Sequence, residues 1–201
     1  MKKIVLGKIK KIIINSNKNI DEIKLEEIMY GLESLYLTLE KIIFIILISL
    51  ILKIFKEVMI FMILYNIIRF TAFGAHAKNS IVCLIISIIT FIGSPILAKL
   101  IIIPTYLKLV IGLICVLGFV IYAPADTEKR PIISKKRRLT YKICSIFLGI
   151  IYIILSIYIK DSFIDNTLIF SLILQIIMIL PITYKLFGVS YNNYKNYKID
   201  G

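Results

Sequence analysis

No long polar interval interrupts this chain of 201 residues, which is 59% hydrophobic with a mean hydropathy of +0.92. One soluble core cannot hide that much apolar surface, so the bilayer has to act as solvent. The start, Met1-Lys-Lys, leads into a basic amphipathic stretch without a small-residue cleavage site, and apolar runs recur along the whole length. A removable signal peptide is therefore not expected. Cysteine is scarce: Cys83, Cys115 and Cys144 lie inside apolar segments with no CxxC and no Cys/His ligand spacing. That pattern suggests neither a disulfide framework nor a zinc site, and no ligand set for another metal or an organic cofactor is visible. Acidic residues are few as well, 12 against 25 Lys and Arg, for a formal charge of +13. Because the charge is interleaved with hydrophobic spans, it points to anionic membrane lipids or an acidic peptide as partner, and not to nucleic acid.

What is present is a succession of helices, so the expected fold is an all-α integral membrane protein. Residues 2–14 set lysines beside Ile and Leu, a composition for a helix in the headgroup layer, the alternative being a basic tail. From Asp21 to Glu40, Leu25, Ile28, Leu32, Leu35 and Leu39 recur at steps of three and four, one apolar stripe of a helix with Glu22, Glu26, Glu27 and Glu33 on its other faces. This amphipathic helix feeds into the first span and packs either on a partner or within the chain. A span needs about 20 apolar residues. Six are read, near 40–55, 57–69, 80–99, 102–122, 140–159 and 166–186, with four remaining possible if the early segments are re-entrant. The short second one is tilted, embedded against neighbours or ends inside the membrane. Pro95, Pro104 and Pro181, with Gly93, Gly112 and Gly118, mark kinks or close helix contacts. The organisation expected is interfacial helices over 1–39, a polytopic domain over 40–188 and a tail over 189–201.

The basic residues orient the chain. With the N-terminus inside, twenty of the 25 fall on the cytoplasmic side, leaving Lys53, Lys56, Lys99, Lys108 and Lys160 outside. Such an imbalance requires an even number of crossings with both termini cytoplasmic.

The single histidine, His76, occupies a short polar interval, RFTAFGAHAKNS over residues 69–80, and Cys83 follows seven positions later. Nucleophilic catalysis needs a thiolate and a base near ambient pH, which imidazole supplies. In one straight helix the two positions would stand roughly 10 Å apart, beyond hydrogen-bond reach. The histidine must therefore fold back from a loop, which Gly74 permits. Asn79 or Ser80 is a natural N-cap for a helix that would carry Cys83 in its first turn. Orphan N–H groups there, with their partial positive charge, favour a thiolate and a developing oxyanion, and Arg69 and Lys78 add positive potential. The competing reading makes Cys83 an inert small hydrophobe and His76 a solvated interfacial side chain.

A second polar island, YAPADTEKRPIISKKRR over residues 122–138, falls on the same side of the membrane. Asp126 and Glu128 are the acidic candidates for orienting His76. Arg69, Lys78, Lys135, Lys136, Arg137 and Arg138 are the candidates for binding a carboxylate-rich peptide, the last four serving otherwise only as a topology signal. Few ionisable residues besides Lys108 lie within the clear spans, which weighs against a transporter. A non-enzymatic sensor component is the other alternative.

Arg69, the Gly74-Ala-His-Ala77 run, Cys83, the APADTEKRPI segment over residues 123–132 and the YGLES element over residues 30–34 together resemble the AgrB family of accessory gene regulator peptidases. Many of those relatives carry a Gly pair ahead of the His, where this chain has Phe73-Gly74. The resemblance covers most of the chain and implies a multi-pass bacterial cell-membrane cysteine peptidase in quorum sensing, with its active site at the cytoplasmic face. It maps the catalytic pair onto His76 and Cys83. It further implies removal of the acidic C-terminal segment of an AgrD-type precursor, a Cys83 thioester, thiolactone closure and a homodimer.

Overall fold

The computed structural model describes residues 2–16, 21–77, 79–127 and 131–196. The chain forms two compact units, Met1–Leu47 and Ile48–Gly201. The first holds α1 (Lys2–Ser16) and most of α2 (Glu22–Ile51). The charged stripe of α2 gives way after Lys41 to a segment apolar but for Ser49, without Pro, so the amphipathic helix and the first span are one continuous rod.

The second unit contains α3 (Phe55–Ala72), α4 (Ser80–Ile88), a π-helical turn (Ile89–Gly93), α5 (Ser94–Leu100), α6 (Thr105–Tyr122), α7 (Lys135–Tyr158), α8 (Ser162–Ile179) and α9 (Pro181–Leu186). Among the described residues, five stretches are long and apolar enough to cross a bilayer: Lys24–Ile51, Ile81–Leu100, Thr105–Tyr122, Lys135–Tyr158 and Ser162–Ile179. α3 has 18 residues but is interrupted by Lys56, Glu57 and Arg69. The predicted boundaries shift where backbone chemistry intervenes. The third span is divided because Pro95 would set its ring against the carbonyl one turn back, and the wider π turn just before it relieves that clash. The last span stops at Ile179, since Pro181 lacks the N–H to continue α8 and instead opens α9.

α8 is the hub, packed against α3, α5, α6 and α7. Its buried residues run all round it, whereas α6 buries one stripe, Lys108, Gly112, Cys115 and Phe119, and exposes Leu113, Ile114, Leu117 and Ile121. Exposed apolar faces of this kind need lipid as solvent. Small residues set the helix spacing: a Cβ on Gly118 would lie 2.7 Å from Ile176 Cδ1, and one on Gly149 would lie 3.0 Å from Val116 Cγ2. Polar groups in the core are tied to named partners at the α5–α6 end. Lys108 pairs with Asp165 at 2.5 Å, and Asn166 donates to the carbonyls of Ala98 (3.0 Å) and Ile101 (2.5 Å). Pairing offsets the cost of holding those charges out of water.

Candidate active site at the α3–α4 connection

The chain leaves α3 through Phe73, whose φ of 59° and ψ of −136° are unusual for a residue with a side chain, and Gly74, at φ 130°. The second value belongs to glycine, and a Cβ there would come within 2.9 Å of the Met178 carbonyl oxygen. This bend turns the following segment back across the end of α8. Its polar backbone is then paired in three directions. Gly74 N–H donates to the Ala125 carbonyl (3.0 Å), Ala125 N–H to the Ala72 carbonyl (3.0 Å) and Ala75 N–H to the Met178 carbonyl (2.9 Å), while Gln175 Nε2 donates to the Phe73 carbonyl (2.7 Å). Phe73 and Ala125 form an isolated parallel bridge. The two polar islands that stand fifty residues apart in sequence are thus two sides of one construction.

His76 is exposed at the end of this anchored segment, and Arg69, one helical turn from the end of α3, reaches it. The Arg69 guanidinium donates to Tyr65 Oη (3.0 Å) and to the Ala75 carbonyl (3.1 Å), and its Nη2 stands 3.3 Å from His76 Nε2. Guanidinium only donates, so Nε2 is the acceptor and the ring proton sits on Nδ1. Arg69 is thereby committed to the histidine segment rather than held out toward solvent.

On the other side of the connection α4 begins. Asn79 is its N-cap: Oδ1 accepts from Ile81 N–H (2.8 Å) and Val82 N–H (3.5 Å), and its carbonyl accepts from Cys83 N–H (2.9 Å). Cys83, half-buried, therefore sits in the first turn of the helix. Its own N–H and those of residues 81 and 82 already have acceptors, so the backbone groups nearest the sulfur are largely occupied by the cap. Cys115 is buried in α6 and Cys144 half-buried in α7, on other helices. Lys78, Glu128 and the side chain of Ser80 lie outside the described residues.

Asp126 is 1% exposed, and its carboxylate takes N–H donors from Ile132 (3.4 Å), Asn193 (3.0 Å) and Tyr194 (2.9 Å), with Arg138 Nη1 at 3.8 Å. Its partners lie on the second island and in the C-terminal segment, so it clamps those two together beneath the bridge. Tyr184 Oη bonds the carbonyls of Ala125 (3.0 Å) and Asp126 (2.9 Å). Burial, reinforced by Asp126, raises the pKa of this phenol, which keeps it a donor. Arg138 turns inward, its Cζ 3.3 Å from the Tyr194 ring centroid, while Lys135, Lys136 and Arg137 stay exposed. These three rim a cleft of about 960 Å³ whose apolar wall is Phe70, Phe73, Ile132 and Tyr141. Sequence reasoning did not identify Gln175, Tyr184 or the Asn193–Tyr194 amides as parts of this site. A carboxamide in the apolar second half of α8 was a readable signal for the first; the backbone amides offered none.

A family profile, accessory gene regulator B, matches residues 7–179. Among curated proteins the chain is similar to a putative AgrB-like protein of Clostridium acetobutylicum, 31% identical over 96% of this chain and 92% of that protein. It is also similar to accessory gene regulator protein B of Staphylococcus aureus, 34% identical over 85% and 90%, and to that of Staphylococcus epidermidis, 31% identical over 85% and 87%. No solved structure matches. With the match running through the α3–α4 connection and its supporting segments, this chain belongs to the accessory gene regulator B family.

Proposed function

We propose that this protein is a cysteine endopeptidase of the quorum-sensing system, cutting the acidic C-terminal segment from an AgrD-type propeptide and closing the remainder into a thiolactone. The observation that carries the reading is the placement of the sole imidazole and an intrahelical first-turn thiol on the two arms of one short, anchored connection. His76 takes the Cys83 proton on Nε2, the ring nitrogen left without a proton, which Arg69 gives up to the thiol as substrate binds. The thiolate attacks the scissile carbonyl, and collapse of the tetrahedral adduct breaks the C–N bond as the imidazolium protonates the departing amine. The peptide is left as a Cys83 thioester. An internal thiol of the peptide then displaces Cys83, forming the ring thioester and returning the proton to the enzyme thiol. One thioester replaces another, so the second step needs exclusion of water more than driving force.

The cleft beside Phe73 suits such a substrate. Lys135, Lys136 and Arg137 lie in the first turn of α7, where cations oppose the helix dipole and combine with it to draw carboxylates. The aromatic wall accepts apolar residues next to the cut. With the N-terminus inside and α3 crossing as a sixth, shorter span, the excess of Lys and Arg puts this surface and both termini at the cytoplasmic face, against anionic lipid and the newly made precursor. We place the enzyme in the bacterial cell membrane as a homodimer, by analogy with the family.

Co-expression with the cognate precursor peptide tests the reading. Cys83→Ala and His76→Ala should abolish cleavage in normally inserted protein, while Cys115→Ala and Cys144→Ala should still cut. Cleavage by Cys83→Ala would end the proposal.

A further inference from the structure

α8 carries an unusual file of polar residues for a helix at lipid depth: Thr167, Ser171 and Gln175 recur at steps of four on one face and are fully buried. The last is the most expensive, since a carboxamide placed among Ile, Leu and Met must find partners inside the protein. Gln175 finds one only in part. Its Nε2 donates at 2.7 Å to the Phe73 carbonyl, and its Oε1 has no hydrogen-bond partner among the described residues. The amide orientation is settled by chemistry, because a carbonyl only accepts and so must face the NH2. A leucine at this position would spare the fold a half-satisfied amide.

We propose that Gln175 is a positioning residue for the His76 segment, an inference that rests on the peptidase reading above. Two residues of α8 three apart hold the loop: Gln175 by the Phe73 carbonyl, and Met178, through its own carbonyl, by the Ala75 N–H at 2.9 Å. The two bonds straddle Gly74, so they fix the turn on both sides. Phe73 has the positive φ of 59° that a residue with a side chain keeps only when its surroundings impose it. The Gln175 bond falls on the carbonyl of that same residue. Removing it frees Phe73 to relax toward ordinary dihedrals, and the displacement is handed on through Ala75 to His76, where Arg69 bonds both residues. The nucleophile, held by its own helix, would not move with it. Dyad alignment, not substrate contact, is what Gln175 controls.

The test uses full-length Gln175→Leu and Gln175→Met beside wild type and Cys83→Ala, with the precursor peptide that the wild type cleaves. Expected is a fall in kcat of on the order of ten- to a hundredfold, with KM within about twofold. The melting temperature in detergent should not fall, and Cys83 alkylation by iodoacetamide should slow. Unchanged kcat in either variant, a loss carried by KM, or kcat and melting temperature falling together would overturn it, as would failure of both variants to fold. If Cys83→Ala itself cleaves, the peptidase reading has failed; if it is inactive while Gln175→Leu cleaves normally, only the role given to Gln175 has.

Discussion

The two arms of the α3–α4 connection are built by different means. On the histidine arm, residues 73–77, the backbone is held by hydrogen bonds to α8, to the 123–127 segment and to the end of α3 itself, and the side chain by Arg69. On the cysteine arm the holding is local: the Asn79 cap, the Cys83 N–H bond to the Asn79 carbonyl, and Ser87 Oγ donating to the Cys83 carbonyl at 2.8 Å. A nucleophile in a helix needs only its own turn for placement. A base in a loop has no such scaffold, and distant chain must supply one. The contrast predicts that the two arms fail differently when cut.

The largest effect is expected at the bend. Gly74→Ala sets a Cβ within 2.9 Å of the Met178 carbonyl on a backbone at φ 130°, a strain of about 1–3 kcal/mol before the clash. Cleavage should fall at least tenfold, assayed by precursor processing, and Asn79→Ala should not reproduce that loss. Next comes Asp126→Asn, which keeps the shape but gives up the charge that gathers three backbone N–H groups and Arg138. Destabilisation of about 1–3 kcal/mol is expected from charged hydrogen bonds weakened in a buried site, with a partial loss of cleavage; equal activity at equal stability would show that the clamp does not bear on the histidine arm. The smallest change is expected for Asn79→Ala on the cysteine arm. Loss of the cap should cost about 1 kcal/mol and slow Cys83 alkylation only a few-fold. If Asn79→Ala proves as damaging as Gly74→Ala, the division into a local arm and a tertiary arm is wrong.

Much of this was open to inspection in the residues. The rise of hydropathy after Lys41 showed the amphipathic helix running into the first span, Asn79 was readable as a cap, and Gly74 as the point where a straight helix had to bend. These follow from neighbours within a turn or two, where spacing and propensity act directly. The boundaries at Pro95 and Pro181 were signalled as kinks, but whether each would bend, widen or end its helix depended on packing. Arg69 and Arg138 illustrate the harder case. As sequence, both are basic residues suited to an acidic ligand; in the folded chain Arg69 serves the imidazole and Arg138 turns to Asp126 and Tyr194. Nothing in the spacing of a cation along the chain tells which of its possible partners is nearer.

The amino-acid order by itself determined that the chain is helical and lipid-solvated, which face of each helix is apolar, and which two side chains are the candidates for acyl-transfer chemistry. Those properties are summed from local terms: transfer free energy, helical periodicity and the intrinsic acidity of thiol and imidazole. Only the tertiary structure decided that α8 would hold the histidine segment through Gln175 and Met178, and that Ala125 would bridge to Phe73 from fifty residues away. Such contacts are made by carbonyls and amides that every residue carries, so their pairing is set by where the helices pack and leaves no mark in residue type.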